Sequence, residues 1–210
     1  MFIRSLLGAA LLALSSVAMA DTVTPSQVGN LGNGINLAPG GFLTVNWSNG
    51  APNIGLIQFD LSAYAGQNVS SATINLFQQW NSDANAVFGL YANTSAWSSS
   101  ISGNPSDGPA FLATPVAQIT TGDWNQGVWR SADLTAIVND WTHGVLPNYG
   151  LTLERIDASN PFLYFTSGLS NTNAPTLVLT TAVPEPESIA LLLAGVACLG
   201  VVARRRGTRA

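Results

Sequence analysis

The chain has 210 residues and is 47% hydrophobic but only 9% charged, with one His, one Cys and six Trp. Between residues 21 and 182 the only cations are Arg130 and Arg155, set against Asp21, Asp60, Asp83, Asp107, Asp123, Asp133, Asp140, Glu154 and Asp157; this body carries −7 and no lysine. A surface of that sign repels phosphate backbones, which argues against nucleic acid and anionic membrane surfaces as partners, and a single cysteine, Cys198, excludes an intrachain disulfide.

Met1–Ala20 reads as a secretory signal peptide: Arg4 supplies the positive start, Leu6 to Leu14 the apolar centre, and Ala18-Met19-Ala20 a small-residue cleavage site. The body that follows, residues 21–182, is long enough for one domain with its own core. Short apolar alternations separated by Gly, Asn, Pro and Ser clusters recur along it, the pattern of a sheet protein with many turns. Phe42 to Trp47 places Leu43, Val45 and Trp47 on one face. After a turn over Asn49–Asn53, Gly55 to Asp60 places Ile57 and Phe59 on one face. Ser71 to Phe77 does the same for Ala72, Ile74 and Leu76, and Phe88 to Tyr91 is a further strand.

From Thr94 to Pro115 the pattern gives way to a long polar loop in which Trp97 and Phe111 stand alone; such loops often carry function. Strands resume at Val116–Thr120 and Val128–Arg130. Leu134, Ile137, Val138 and Trp141 recur at helical spacing, so a helix is expected over Leu134–Trp141, capped by Asp133, with Asn139 and Asp140 facing away and His143 at its end. Strands at Gly150–Glu154, Phe162–Thr166 and Thr176–Thr181 close the domain. Some ten strands with one short helix give an all-β, jelly-roll-like two-sheet sandwich.

The tail joins three unlike elements: Val183-Pro184-Glu185-Pro186, an apolar run from Ile189 to Ala203, and Arg204-Arg205-Arg206. As a helix the run spans roughly 22 Å of a ~30 Å hydrocarbon core, short for a permanent anchor. The arginines hold its end in the cytoplasm, and the prolines keep the segment before it extended and accessible. Residues 183–207 closely resemble the PEP-CTERM sorting signal of Gram-negative bacteria. The resemblance implies transient membrane insertion and recognition by an exosortase, a membrane-embedded cysteine transpeptidase that removes the helix. It further implies a surface or matrix protein of a bacterium that makes exopolysaccharide. The competing reading is a plain C-terminal anchor.

In the body, Leu56-Ile57-Gln58-Phe59-Asp60-Leu61-Ser62, Ser71-Ala72-Thr73-Ile74-Asn75-Leu76, Ala96-Trp97, Asp133-Leu134-Thr135 with Ile137, Val138 and Trp141, Asn148-Tyr149-Gly150-Leu151 and Pro175-Thr176-Leu177 resemble in order and spacing the DNRLRE-type domains. That resemblance implies a β-sandwich similar to carbohydrate-binding modules, some of which bind alginate-like polysaccharides.

Catalysis finds little support. His143 is the sole histidine, the body has no cysteine, and no Gly-x-Ser-x-Gly elbow is present. The acids are dispersed, so a glycosidase pair would be a chance pairing. Aromatics are the better lead, because a sugar ring stacks its C–H face on a flat side chain. Trp141 belongs to the helix stripe, and Trp47 and Trp129 alternate into strands, which suits core positions. Trp80, Trp97 and Trp124 fall in polar loop contexts and are the exposed, candidate glycan-binding residues, against the competing reading of partly buried pegs. Alginate itself would need cationic partners that the body lacks. Asp123 and Asn125, in Asp123-x-Asn125-x-Gly127, resemble the opening of a calcium loop, against an ordinary Asp/Asn/Gly turn; no other cofactor is called for. The expected function is polysaccharide binding without catalysis, with a structural matrix protein lacking a glycan ligand, and then a hydrolase or lyase, as alternatives.

Overall fold

The computed structural model describes residues 20–32, 38–48, 51–81, 85–121, 127–156, 163–169, 172–181 and 194–195. The chain divides into two units, residues 19–181 and residues 1–18 with 182–210. Of the second unit only Ala194 and Gly195 are described, both helical, so Val183–Pro186, Arg204–Arg206 and the rest of the expected tail helix lie outside the described residues. No helix among the described residues is long and apolar enough to cross a membrane.

The 19–181 unit is an antiparallel two-sheet sandwich. Its strands are β1 (Ala20–Val23), β2 (Pro25–Leu31), β3 (Phe42–Ser48), β4 (Ala51–Phe59), β5 (Val69–Asn81), β6 (Val87–Ala92), β7 (Ala117–Thr120), β8 (Val128–Asp133), β9 (Leu151–Arg155), β10 (Leu163–Thr166) and β11 (Thr176–Thr181). Strand β5 is the spine of the first sheet. One of its edges takes β11 along Val69–Asn75 and β10 along Gln78–Asn81, and β8 pairs its other edge along Thr73–Gln78. Strand β1 extends the sheet beyond β11, and β3 extends it beyond β10. The second sheet runs β2–β4–β9–β6–β7. Pairing of Asn46–Ser48 with Ala51–Asn53 joins the two through β3 and β4. Residues Ala51–Asn53, expected in a turn, therefore belong to a strand, and β1 and β2 were not anticipated from the sequence.

The period-two faces converge on one core. Leu43 and Val45, Ile57 and Phe59, Ala72, Ile74 and Leu76, Phe88 and Leu90, Leu151 and Leu153, and Leu177 and Leu179 are all buried between the sheets. Burial of such side chains stabilises by roughly 1.5–3 kcal/mol each. The opposite face of β2 and β4 carries a second, smaller cluster of Leu31, Ile54 and Leu56, covered by Trp97 and Ile101 of the long loop. That loop therefore shields apolar surface.

The helix α1 spans Thr135–Thr142, one residue later than expected, and buries Ile137, Val138 and Trp141. Asp133 accepts from the Thr135 N–H at 2.8 Å and from its hydroxyl. These bonds hold its carboxyl below the usual range and satisfy one of the helix's free donors. Asn139 departs from the expectation that it faces away. Its amide donates to the Val69 carbonyl at 2.8 Å and its oxygen accepts from the Val69 N–H at 2.9 Å, so it grips the first residue of β5 as a neighbouring strand would. His143 is exposed at the helix end, its Nδ1 2.8 Å from the Asn139 carbonyl.

On β9, Glu154 stands opposite Gly89 of β6 and is half-buried, which raises its pKa. The Tyr91 phenol is pushed up as well, first by its own burial and then by the Glu154 charge. With a folded pKa above the unfolded one, ionising Glu154 costs stability as pH rises through the folded value, and the cost is absent below the unfolded value near ~4.3. Glu154→Gln is therefore expected to raise stability at neutral pH by less than about 1 kcal/mol, since solvent screens a half-exposed group. Thermal melts across pH should show the gain vanishing in acid.

Candidate functional site

The first sheet turns a staggered aromatic band outward. Strand β5 buries Ala72, Ile74, Leu76 and Gln78, so strict alternation would send Trp80 inward as well. It does not, because Phe165 of β10 pairs with Gln78 while the adjacent Tyr164 pairs with Trp80, leaving Gln79 as a bulge. Opposed residues of antiparallel strands share a face, so Trp80 joins Phe77 and Tyr164 on the outer side while Phe165 stays in the core.

Around this bulge the aromatics meet in two groups. Trp80 lies 5.8 Å from Tyr164 with its ring tilted at 48°, and Tyr164 meets Phe42 of β3 edge-on at 5.8 Å. Phe77 meets Trp129 of β8 at 5.2 Å, also nearly edge-on. Trp129 is 46% exposed and Phe42 37%, so their faces reach solvent. The band crosses β8, β5, β10 and β3, and three strand spacings amount to about 14 Å, the span of a short oligosaccharide.

Beside the band, one residue pair along β5 and β8, lies a polar row. Ser131 donates to Asn75 Oδ1 at 2.6 Å, and the Asn75 amide donates to the Thr176 hydroxyl at 3.3 Å. Both arginines of the body are turned away. Arg155 is buried, and Arg130 faces the inner side of β8, with Nε donating to Gln78 Oε1 at 2.9 Å. The face thus offers apolar rings, hydroxyls and an amide, with no cation to meet a carboxylate.

The sequence candidates separate on this geometry. Trp80 lies in a strand and not in a loop, and it is part of the band. Trp97 is half-buried over the small second cluster, one ring carbon 3.0 Å from where a Cβ on Gly29 would stand, and its indole N–H donates to the Tyr149 carbonyl at 2.8 Å. The two residues are not brought together. Trp124, Asp123 and Asn125 lie outside the described residues, as does the Trp47 side chain. Trp141 is buried, as its stripe predicts, whereas Trp129 is exposed where its alternation had suited the core. Tyr164, Phe42, Phe77 and Trp129 were missed. A signal existed for Trp129, since it shares its face of β8 with Ser131 and Asp133, which want water.

Trp97→Phe loses the indole N–H together with part of the ring that covers Leu31, Ile54 and Leu56, and is expected to cost about 1–3 kcal/mol. The Tyr149 carbonyl would keep its second donor, the Asn93 amide at 3.1 Å. A denaturant midpoint measures the change, and the aromatic band should be unaffected.

The family model of carbohydrate-binding module family 96 matches residues 30–181. That of the PEP-CTERM protein-sorting motif matches residues 182–206. The two resemblances read from the sequence, a carbohydrate-binding-module-like sandwich followed by a sorting tail, therefore hold. No curated protein matches the chain.

Proposed function

Since the chain belongs to carbohydrate-binding module family 96, we propose that it binds polysaccharide on the aromatic face of its first sheet, without catalysis, after export and exosortase-type processing of its tail. The observation that carries the reading is the band of Trp80, Tyr164 and Phe42 with Phe77 and Trp129, set beside the Ser131–Asn75–Thr176 row. Stacked rings take the C–H faces of sugars, and the row supplies donors and acceptors for their hydroxyls. The sorting motif supports export with a membrane-associated tail until an exosortase-like enzyme acts; on our reading the protein then works at the cell surface or in the extracellular matrix, with exopolysaccharide or another matrix component as its partner.

The absence of a cation from the face selects among glycans. A neutral or weakly charged polymer fits, and a polyuronate such as alginate does not. Binding should therefore resist salt, because screening acts on charge pairs and leaves stacking intact.

Affinity electrophoresis through gels containing neutral or uronate polysaccharides tests this. Retardation by a neutral polymer that persists at high salt supports the proposal. Retardation by uronate polymers alone, abolished by salt, overturns the ligand class. No retardation by any polymer favours the structural matrix protein, whose exposed Trp129 and Phe42 would serve protein contacts. Release of reducing ends would instead identify a hydrolase.

A further inference from the structure

The outer face of the second sheet carries a carboxylate with no counter-charge in the domain. Phe88, Leu90 and Leu153 are buried in the core, so their neighbours Gly89, Tyr91 and Glu154 look outward. The only lysine or arginine residues between 21 and 182 are Arg130 and Arg155. Arg155 follows Glu154 directly, so it points to the opposite face, where it is buried, and Arg130 is held by Gln78 of the first sheet. The sole histidine, His143, lies at the end of α1 against the Asn139 carbonyl. Burial is the only cause acting on the Glu154 pKa, with no donor or cation among the described residues to offset it. A carboxylate kept in that state costs the fold stability, which is the mark of a group retained for another purpose.

Aromatic carbon lies beside it. Glu154 of β9 and Gln118 of β7 both stand opposite Gly89 of β6. With no side chain at Gly89, the Tyr91 ring lies across that position: a Cβ there would stand 2.6 Å from Tyr91 Cε2 and 2.9 Å from Cζ. The phenol end is thereby brought toward Glu154, whose charge adds to the rise in the Tyr91 pKa. Phe111 of the long loop meets Tyr91 at 5.3 Å, tilted by 51°. Tyr91, Phe111 and Glu154 are each half-buried, while Gln118 and Thr120 are exposed on the adjacent edge strand. A carboxylate next to an aromatic ring suits a protonated amine, because the ammonium pairs with the anion and is drawn to the ring's π-electrons. A neutral hydroxyl would leave the charge unmatched, and an anionic group would be repelled.

We propose that this face is a second carbohydrate site, selective for a sugar that bears a free, protonated amine, as in a de-N-acetylated hexosamine polymer. The ammonium pairs with Glu154, the sugar ring lies against Tyr91, and Gln118 and Thr120 meet its hydroxyls. The site rests on the carbohydrate-binding reading of the domain but shares no residue with the aromatic band of the first sheet. A polymer with both amino and neutral units is then held on two faces, and the second contact forms at high effective concentration.

The test is isothermal titration calorimetry of the full chain, solubilised in a detergent that contains no sugar, just below neutral pH. The probes are a glucosamine hexamer, the N-acetylglucosamine hexamer as its neutral counterpart, and hexalysine as a source of ammonium groups without sugar. The variants are Glu154→Gln, Tyr91→Leu and Asp60→Asn, the last removing an exposed charge from the turn after β4. The parent is expected to bind the glucosamine hexamer about tenfold more tightly than the acetylated one. That preference should vanish in Glu154→Gln, weaken in Tyr91→Leu and persist in Asp60→Asn. Since Glu154→Gln is expected to be the more stable protein, its loss of binding cannot come from unfolding. Equal affinity of parent and Glu154→Gln for the glucosamine hexamer overturns the proposal. Equal losses in Glu154→Gln and Asp60→Asn overturn it too, by reducing the effect to overall charge. Hexalysine bound as tightly as the glucosamine hexamer replaces the sugar with a basic protein as the partner. If a neutral polysaccharide still binds through Trp80 while the glucosamine hexamer does not bind, this site falls and the first face stands. If neither binds, the carbohydrate reading falls with it.

Discussion

Gly150→Ala is expected to destabilise the domain by roughly 3–5 kcal/mol, the range of severe core lesions. Gly150 has φ +81°, and a Cβ there would stand 2.4 Å from the Ile57 carbonyl oxygen and 2.7 Å from Gln58 Cβ. The left-handed backbone alone costs a non-glycine residue about 1–2 kcal/mol. The remainder comes from the collision, because a strand carbonyl in the middle of a sheet cannot swing aside as a side-chain tip can. The position also joins three elements: the Gly150 N–H donates to Asn148 Oδ1 at 3.1 Å, its carbonyl accepts from the Asn93 N–H at 2.9 Å, and β9 begins at the next residue. Three further substitutions separate the causes. Asparagine tolerates the left-handed conformation, yet Gly150→Asn should be as damaging as alanine, since it brings the same Cβ. At Gly66, with φ +73° and nothing within 4 Å of where a Cβ would stand, only the dihedral cost applies, so Gly66→Ala should lose about 1–2 kcal/mol and Gly66→Asn much less. Denaturant midpoints of the four variants decide it, and a mild Gly150→Asn would show that the contact is not the cause.

The sequence revealed what depends on local periodicity. Ala72, Ile74 and Leu76, or Ile57 and Phe59, announce a strand and its buried face, and the Leu134–Trp141 stripe announces the helix to within a residue. Strands β1 and β2 escaped because Ala20–Val23 abuts an apolar leader and Gln27–Leu31 mixes Gly and Asn with its apolar residues. Asn30 is acceptable there only because its amide reaches the Thr44 and Ile54 carbonyls on two other strands, at 2.8 Å each, which no window along one strand can foresee. Asn139 is similar: a polar residue on the far side of an apolar stripe reads as solvent-facing until another strand's end arrives to be gripped. For the candidate site, alternation identifies which residues share a face but not which face looks outward. The chain also changes phase at Gln79, where the bulge is defined by the register of β10, more than eighty residues away.

That change of phase leads to the second large effect. Trp80→Ala is expected to weaken binding to a neutral polysaccharide tenfold or more, about 1.4–2 kcal/mol, as loss of a central aromatic anchor does. Trp80 sits mid-band, and its removal also deprives Tyr164 of the ring that fixes its tilt. Stability should fall far less than for a core tryptophan, because the side chain is half-exposed. Trp80→Phe keeps a stacking ring and should retain most of the affinity. Deleting Gln79 isolates the role of the bulge. With the extra residue gone, Trp80 follows the inward Gln78 directly, so plain alternation keeps it outward opposite Tyr164 and binding should stay close to the parent's. Gln79→Gly keeps the residue count and should bind as the parent does. Titrations of these four proteins with one neutral polysaccharide form the measurement. Parent-like affinity in Trp80→Ala would move the binding site off this face, whereas loss there with retention in Trp80→Phe, Gln79→Gly and the Gln79 deletion ties recognition to the outward ring of Trp80.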